Sequence, residues 1–394
     1  MTDPIVRIAA RGDGVSATGV HVAGAVTGDW LDDRGTHLWG AHHQEPPCRH
    51  FPECGGCQLQ HSDDAAYAGF CSDRVRLALA QHGLETDVRP AYLSPPRSRR
   101  RAALKARNLG TKRRLIGFHA TKTNAIIDMH ECHVLRPELF ALVAPLRALL
   151  DALPANGNAE IQMTLADQGV DLAIKGWESH GLAAAESLVE FAERNRIARL
   201  SIDEGYGAEP RFEPWPVTVT LSGVPVQLPV GAFLQATEDG EAALVEAVRE
   251  ATHGAGRVAD LFAGLGTFSF SLDGNVFAAE ASRDAVLALK GAAARADRQL
   301  TAEHRDLYRR PLQAAELAPF DAVVLDPPRA GAVEQVKALA TSSVERTAYV
   351  SCNPATFARD AAMLVAGGYR LLWALPVGQF RWSTHVELVA AFAR

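Results

Sequence analysis

A chain of 394 residues, 47% hydrophobic and 22% charged, is long enough for two or three domains and has the composition of a soluble globular protein. Its formal net charge of −6 excludes a uniformly basic coat for nucleic acid, although an average can hide a local patch. No run approaches the length of a membrane span and the first residues hold no apolar core of signal-peptide length, so the expected location is the cytoplasm. There, six cysteines are expected to be metal ligands or catalytic groups rather than disulfides.

Residues 1–45 are rich in Gly and Val, with turn signals at Gly12-Asp13-Gly14 and Gly28-Asp29 between short β-like runs. They predict a small β domain. Cys48, Cys54 and Cys57 follow in a loop that also holds Pro52, Gly55 and Gly56, and such glycines let a backbone wrap tightly around a metal centre. Cys132 is the best candidate for a fourth ligand. Four thiolates suit either a 4Fe–4S cluster or structural zinc, and His50, His61, His130 or His133 are alternative zinc ligands. Coincidental clustering is the bland alternative. Cys71 has no partner at a suggestive spacing and is expected to be a packed residue in a helix from about Asp64 to His82.

From Leu93 to Ile127 there is no Asp or Glu, while Arg97, Arg99, Arg100, Arg101, Lys105, Arg107, Lys112, Arg113, Arg114 and Lys122 fall within it. A charge run is usually a solvated face, but one without compensation repels itself unless a polyanion neutralises it. Alternation around Leu104 and Leu115 predicts a β-hairpin that displays these charges to phosphates. Further strands are expected near Ile161–Leu165, Asp171–Ile174 and Ile197–Ile202. A hairpin, Val217–Leu221 to Val224–Leu228, turns at Ser222-Gly223. A central α+β domain therefore spans 46–230.

Residues 231–394 alternate strand and helix, which predicts a doubly wound parallel sheet and places the whole chain in the α/β class. The expected strands are Arg257–Phe262, Asn275–Glu280, Leu300–Arg305, Ala322–Leu325, Thr347–Ser351, Arg370–Leu375 and Val386–Phe392. Gly264 and Gly266 in the first turn allow a ligand close to the backbone, and Glu280 can accept hydrogen bonds from ribose hydroxyls. With Asp306 and Asp326 after the third and fourth strands, this resembles the S-adenosylmethionine site of class I methyltransferases, NAD binding being the alternative. Cys352 is expected where the fifth strand ends and a helix begins at Pro354, where the positive end of that helix lowers a thiol pKa. The bland alternative is a small buried hydrophobe.

Together these motifs resemble the RNA uracil-5-methyltransferases, and most closely the iron–sulfur members that act on large-subunit ribosomal RNA. The matching residues are the four cysteines 48, 54, 57 and 132, Arg99–Arg101, Gln235, Asp260–Gly266, Asp326–Gly331, Ser351–Pro354 and His385–Glu387. The resemblance implies a Rossmann-like methyltransferase domain over 231–394, a 4Fe–4S cluster on Cys48, Cys54, Cys57 and Cys132, and a TRAM-like N-terminal domain. It makes Cys352 the nucleophile and Glu387 the base, with Gln235, Phe262, Thr267, Glu280, Asp306 and Asp326 lining the pocket for S-adenosylmethionine and the target base. It implies 23S rRNA as the partner, with tRNA as the alternative, and calls for no obligatory protein partner. A non-catalytic, metal-stapled RNA-binding protein would account for the first 130 residues but not for Cys352 and Glu387. The sequence departs from the family in an abbreviated N-terminal barrel and in Arg381–Thr384, where the family commonly carries a proline-containing turn.

Overall fold

The structure, a computed structural model, describes residues 2–110, 114–152, 157–177 and 181–394. Of the expected hairpin turn at Gly110-Thr111-Lys112, Thr111 and Lys112 lie outside the described residues, as does Arg113 of the basic run.

The C-terminal half builds one large sheet in the order Leu300–His304, Asn275–Glu280, Arg257–Leu261, Ala322–Leu325, Arg346–Ser351, Glu387–Ala393, Arg370–Gly378. The first five strands pair parallel, and their near-continuous apolar runs are buried on both faces, as a sheet covered by helices requires. Alternate residues feed two cores. Leu261, Val323 and Tyr349 meet Tyr67, Phe70 and Phe357 on one face, while Val258, Val324 and Val350 meet Leu244, Val248 and Phe268 on the other.

The sheet is not wholly parallel, as the sequence predicts it to be. Glu387–Ala393 inserts antiparallel between Arg346–Ser351 and Arg370–Gly378. The connection 379–386 is too short for a parallel crossover, which takes a dozen or more residues, so the chain must turn back on itself. The reversal sets Leu388 opposite Ser351, so the N-terminal end of the last strand lies at the carboxyl edge of the parallel strands.

The chain divides into two compact units that cut across the boundaries 1–45, 46–230 and 231–394. One comprises 1–46, 59–94 and 239–394; the other comprises 47–58 and 95–238. Residues 59–94, assigned from the sequence to the central domain, pack on the large sheet instead. Helix Asp64–Ala80, capped by the Asp63 carboxylate accepting from Ala66 N–H, buries Tyr67, Phe70, Cys71 and Val75 against Phe357 and Leu364. Strands Asp87–Val88 and Tyr92–Leu93 then pair parallel with Arg370–Gly378. Such long-range pairing leaves no trace in local composition. The N-terminal segment is a five-stranded antiparallel sheet, as the TRAM-like expectation requires, and its Ile8 and Val26 enter the same core.

The second unit holds a six-stranded sheet ordered Ala208–Phe212, Ile197–Asp203, Gly169–Lys175, Asn158–Ala166, Arg101–Asn108, Arg114–Gly117. A separate hairpin, Thr218–Leu221 with Val224–Gln227, turns at Ser222 and Gly223, both at positive φ as a tight hairpin demands. Along Arg101–Asn108, Ala102, Leu104 and Ala106 are buried while the intervening basic side chains take the other face.

Candidate active site

Cys352 leaves the strand Arg346–Ser351 at its carboxyl end and precedes the helix Pro354–Ala366. Asn353 caps that helix by accepting from Ala355 N–H at 3.2 Å, and Pro354 takes the first helical position, where its missing N–H costs nothing. The helix is braced against the loop after Asp326. Asn353 Nδ2 and Thr356 Oγ1 each donate to the Arg329 carbonyl at 3.1 Å, and Arg359 donates to the Ala330 carbonyl at 2.9 Å. Asp360, fully buried, accepts from Tyr349 Oη at 2.5 Å and from Ala332 N–H at 2.8 Å. Asp360 belongs to none of the sequence motifs; a charged residue on the apolar face of a helix is the signal that could have found it.

Glu387, 5% exposed, begins the reversed strand and accepts a hydrogen bond from Gln379. Asp326 follows Ala322–Leu325, its N–H donating to the Leu261 carbonyl. Burial pushes Glu387 up to about 8, reinforced by Asp326. Burial likewise pushes Asp326 up to about 7, reinforced by Asp260 and Glu280. The Cys352 thiol is also pushed up, to about 11, by burial and then by Glu387 and Asp326, with Arg329 acting in the opposite direction. The lowering expected from the helix terminus is therefore overridden in the free protein by desolvation and two neighbouring carboxyls.

The turn after Arg257–Leu261 is fixed by its backbone conformation. Phe262 adopts φ 66°, rare for a bulky side chain, and is fixed by its N–H donating to the Ala279 carbonyl at 3.0 Å. Gly264 and Gly266 also have positive φ, and a Cβ on Gly266 would meet Leu289 and Phe270 at 2.4 and 2.8 Å. Glu280 accepts from Gly264 N–H at 3.0 Å and from Ser282 N–H at 2.6 Å, which fixes the carboxylate beside the turn while leaving it lone pairs. Ser269, standing where a dinucleotide site has its third glycine, donates to the buried Asp260 at 2.5 Å. Thr267 is half-buried in the same turn, and Asp306 receives Tyr308 N–H at 3.0 Å. The Tyr308 ring lies 5.5 Å from that of Phe262. Gln235 belongs to the other compact unit, where it is 3% exposed and its carbonyl accepts from Arg100 Nε at 3.1 Å.

Cys48, Cys54, Cys57 and Cys132 all fall in the second unit. Cys48 and Cys57 are buried and the other two half-buried. Burial raises the thiols of Cys48, Cys54 and Cys132, and Cys132 further raises both Cys48 and Cys54. A Cβ on Gly55 would meet the His119 carbonyl at 2.8 Å, so the loop can wrap this closely only as glycine. Of the alternative histidine ligands, His50 Nε2 accepts from His130 N–H at 3.1 Å, His130 faces Asp128 at 3.3 Å, and His133 faces Glu131 at 4.0 Å.

The basic run differs most from expectation. Arg100 is 5% exposed, and Arg101 donates to the Leu234 carbonyl and faces the Phe233 ring at 4.9 Å. Burial brings Arg101 down to about 10 and lowers Arg99 as well. Lys105 pairs with Glu160 and Arg114 with Asp151. Arg100 and Arg101 thus hold the strand to segment 234–236 rather than form a displayed patch, and among the described residues of the run Arg97, Arg107 and Lys122 are exposed.

A 23S rRNA (uracil(1939)-C(5))-methyltransferase, RlmD of Chromohalobacter salexigens, is 35% identical over 368 residues, 89% of this chain and 76% of that protein. The chain belongs to the RNA uracil-5-methyltransferase family. A family model described as tRNA (Uracil-5-)-methyltransferase matches residues 227–392. Over 99% of both chains it is 51% identical to an uncharacterized RNA methyltransferase of Zymomonas mobilis. The fold matches that of the Pyrococcus abyssi tRNA (uracil-54, C5)-methyltransferase in complex with S-adenosyl-L-homocysteine, with TM-score 0.75, 22% identity and complete coverage of both chains. Family membership makes the chain an S-adenosylmethionine-dependent RNA methyltransferase. No helix among the described residues is long and apolar enough to cross a membrane.

Proposed function

We propose that this enzyme methylates carbon 5 of one uridine in 23S rRNA through a covalent bond between Cys352 and carbon 6 of the base. The observation that carries the reading is the pairing, at one edge of the sheet, of a half-buried thiol with a buried carboxyl whose charge it senses. Carbon 5 of uracil is too weak a nucleophile to be methylated directly. The Cys352 thiolate adds to carbon 6, and the electron pair moves to make carbon 5 an enolate. S-adenosylmethionine supplies the methyl group as an electrophilic sulfonium. Glu387, as carboxylate, then removes the carbon 5 proton, the electron pair re-forms the 5,6 double bond, and the thiolate is expelled. In the free protein the thiol is held neutral, so the charged nucleophile belongs to the RNA-bound state; Arg329, on the loop tied to Asn353, favours it.

The cofactor pocket of this reading is lined by Phe262, Thr267, Glu280, Asp306 and Asp326; the family motif also carries Gln235. Glu280 is the acceptor for ribose hydroxyls. We further infer a 4Fe–4S cluster on Cys48, Cys54, Cys57 and Cys132. Four cysteine thiolates are the usual ligand set of such a cluster. Arg99, whose charge senses Cys57 and Cys132, favours the anionic ligand set.

Mapping 5-methyluridine in ribosomal and transfer RNA from a strain lacking the protein tests the substrate. Loss at one 23S site is expected; loss from tRNA alone would transfer the reading to tRNA. Anaerobic purification with iron, sulfide and zinc analysis tests the cluster, and stoichiometric zinc without sulfide at the cysteines would refute it.

A further inference from the structure

Asp29, His37 and His43 form a second group of ligand-bearing side chains, in the N-terminal β domain and outside the site described above. Asp29 is fully buried, His43 4% exposed and His37 22% exposed. His37 Nε2 and His43 Nδ1 both point at the same oxygen, Asp29 Oδ2, at 2.7 and 2.8 Å. The three ligand atoms all lie within 4.8 Å of one another. We propose that Asp29, His37 and His43 bind a divalent transition metal of the zinc class, with the fourth position open to water or to His61.

The donor set, one carboxylate and two imidazoles, suits zinc and its neighbours rather than magnesium or calcium. A tetrahedral ion with bonds near 2.0 Å separates its ligand atoms by about 3.3 Å, so each imidazole nitrogen needs to withdraw from the Asp29 oxygen by only about 0.5 Å. The loop is built to hold them. Asp29 Oδ1 accepts from Gly40 N–H and Oδ2 from Val26 N–H, which fixes the carboxylate between two turns. A Cβ on Gly40 would meet the Gly28 carbonyl at 2.0 Å, so the two turns close on each other only through that glycine. Trp39 stacks on the His43 ring at 4.0 Å and 8° and fixes its orientation. The His61 ring stands 5.5 Å from that of His43.

The bound ion would clip together three pieces of chain: the turn before Trp30–Leu31, the strand His37–Leu38, and His43, which bridges Ser62 just ahead of helix Asp64–Ala80. A plain hydrogen-bonded staple is the competing account. His37→Gln separates the two, because a Gln amide still donates to Asp29 but is a poor metal ligand. The full-length protein, with its cysteine site intact, is titrated with zinc and, separately, with cobalt. Wild type is expected to take up about one zinc equivalent more than His37→Gln or His43→Gln, and to gain thermal stability from zinc that the variants do not gain. Cobalt in this site should give weak absorption without the thiolate charge-transfer band of cysteine-bound cobalt. Equal zinc uptake by wild type and His37→Gln, which replaces the most exposed ligand and so should fold, would overturn the proposal. So would a variant-sensitive cobalt signal that carries the thiolate band.

Discussion

At the carboxyl edge of the large sheet, Glu387 is buried and Asp326 half-buried and, among the described residues, neither forms an ion pair; in the second unit Arg100 is buried and Arg101 half-buried, but the carbonyls of Gln235 and Leu234 receive their N–H groups. Withdrawing a carboxylate without a cationic partner costs stability and shifts its pKa toward neutrality, where it can serve proton transfer. A partnered charge is fixed instead and becomes scaffold. Two stretches that both read as functional in the sequence thus take different roles, and the difference lies in what each buried charge touches.

The sharpest way to break this comparison is to remove the thiol. Cys352→Ala should abolish methylation while leaving folding and cofactor binding intact, and wild type should form a denaturation-resistant complex with RNA carrying 5-fluorouridine at the target. Fluorine cannot leave as a cation, so elimination stops. Turnover by the mutant would end the covalent reading.

Glu387→Gln should lower turnover by about 10²–10⁴-fold, the usual contribution of a positioned base, and accumulate a methylated adduct on Cys352. An active variant, or an inactive one without adduct, would point to Asp326 as the base. For wild type, kcat/KM should rise with pH as Glu387 loses its proton, toward about 8.

The same substitution should stabilise the fold. A carboxyl raised from 4.5 to about 8 binds its proton more tightly folded than unfolded, so the stability it contributes is whole below about 4.5 and is lost as pH rises through about 8. Gln has no such loss. Glu387→Gln should therefore gain on wild type across that window, by a few kcal/mol at its upper end. Melting curves that run parallel from pH 4.5 to 8 would show an unshifted carboxyl.

On the other side of the comparison, Arg100→Ala should destabilise the protein by about 1–3 kcal/mol, since a buried carbonyl is deprived of its donor. It should leave the salt dependence of RNA binding unchanged. Replacing the exposed Arg107 or Lys122 should do the opposite, reducing the slope of log affinity against log salt by roughly 0.7–0.9 for each phosphate no longer neutralised. A shallower slope for Arg100→Ala alone would put the buried arginines back on the RNA.

The strands from Arg257 onward were legible to within a residue or two at most ends, because apolar β-branched runs, turn glycines and helix caps are local signals. So were the thiol at the strand end, the turn at Gly264 and Gly266, and the cysteine loop. The direction of the last strand, the docking of 59–94 on the large sheet and the burial of Arg99–Arg101 were not legible, since each depends on which distant segment lies alongside. The ionisation of Cys352 belongs with them: a helix terminus can be read from sequence, but the carboxyls of Asp326 and Glu387 face it only once the sheet has formed. Likewise Asp29, His37 and His43 carry no motif in the sequence; two turns closing on Gly40 bring both rings to one carboxylate oxygen. Sequence alone determined which groups were available, whereas tertiary structure decided their solvent and their neighbours, and with them their charge.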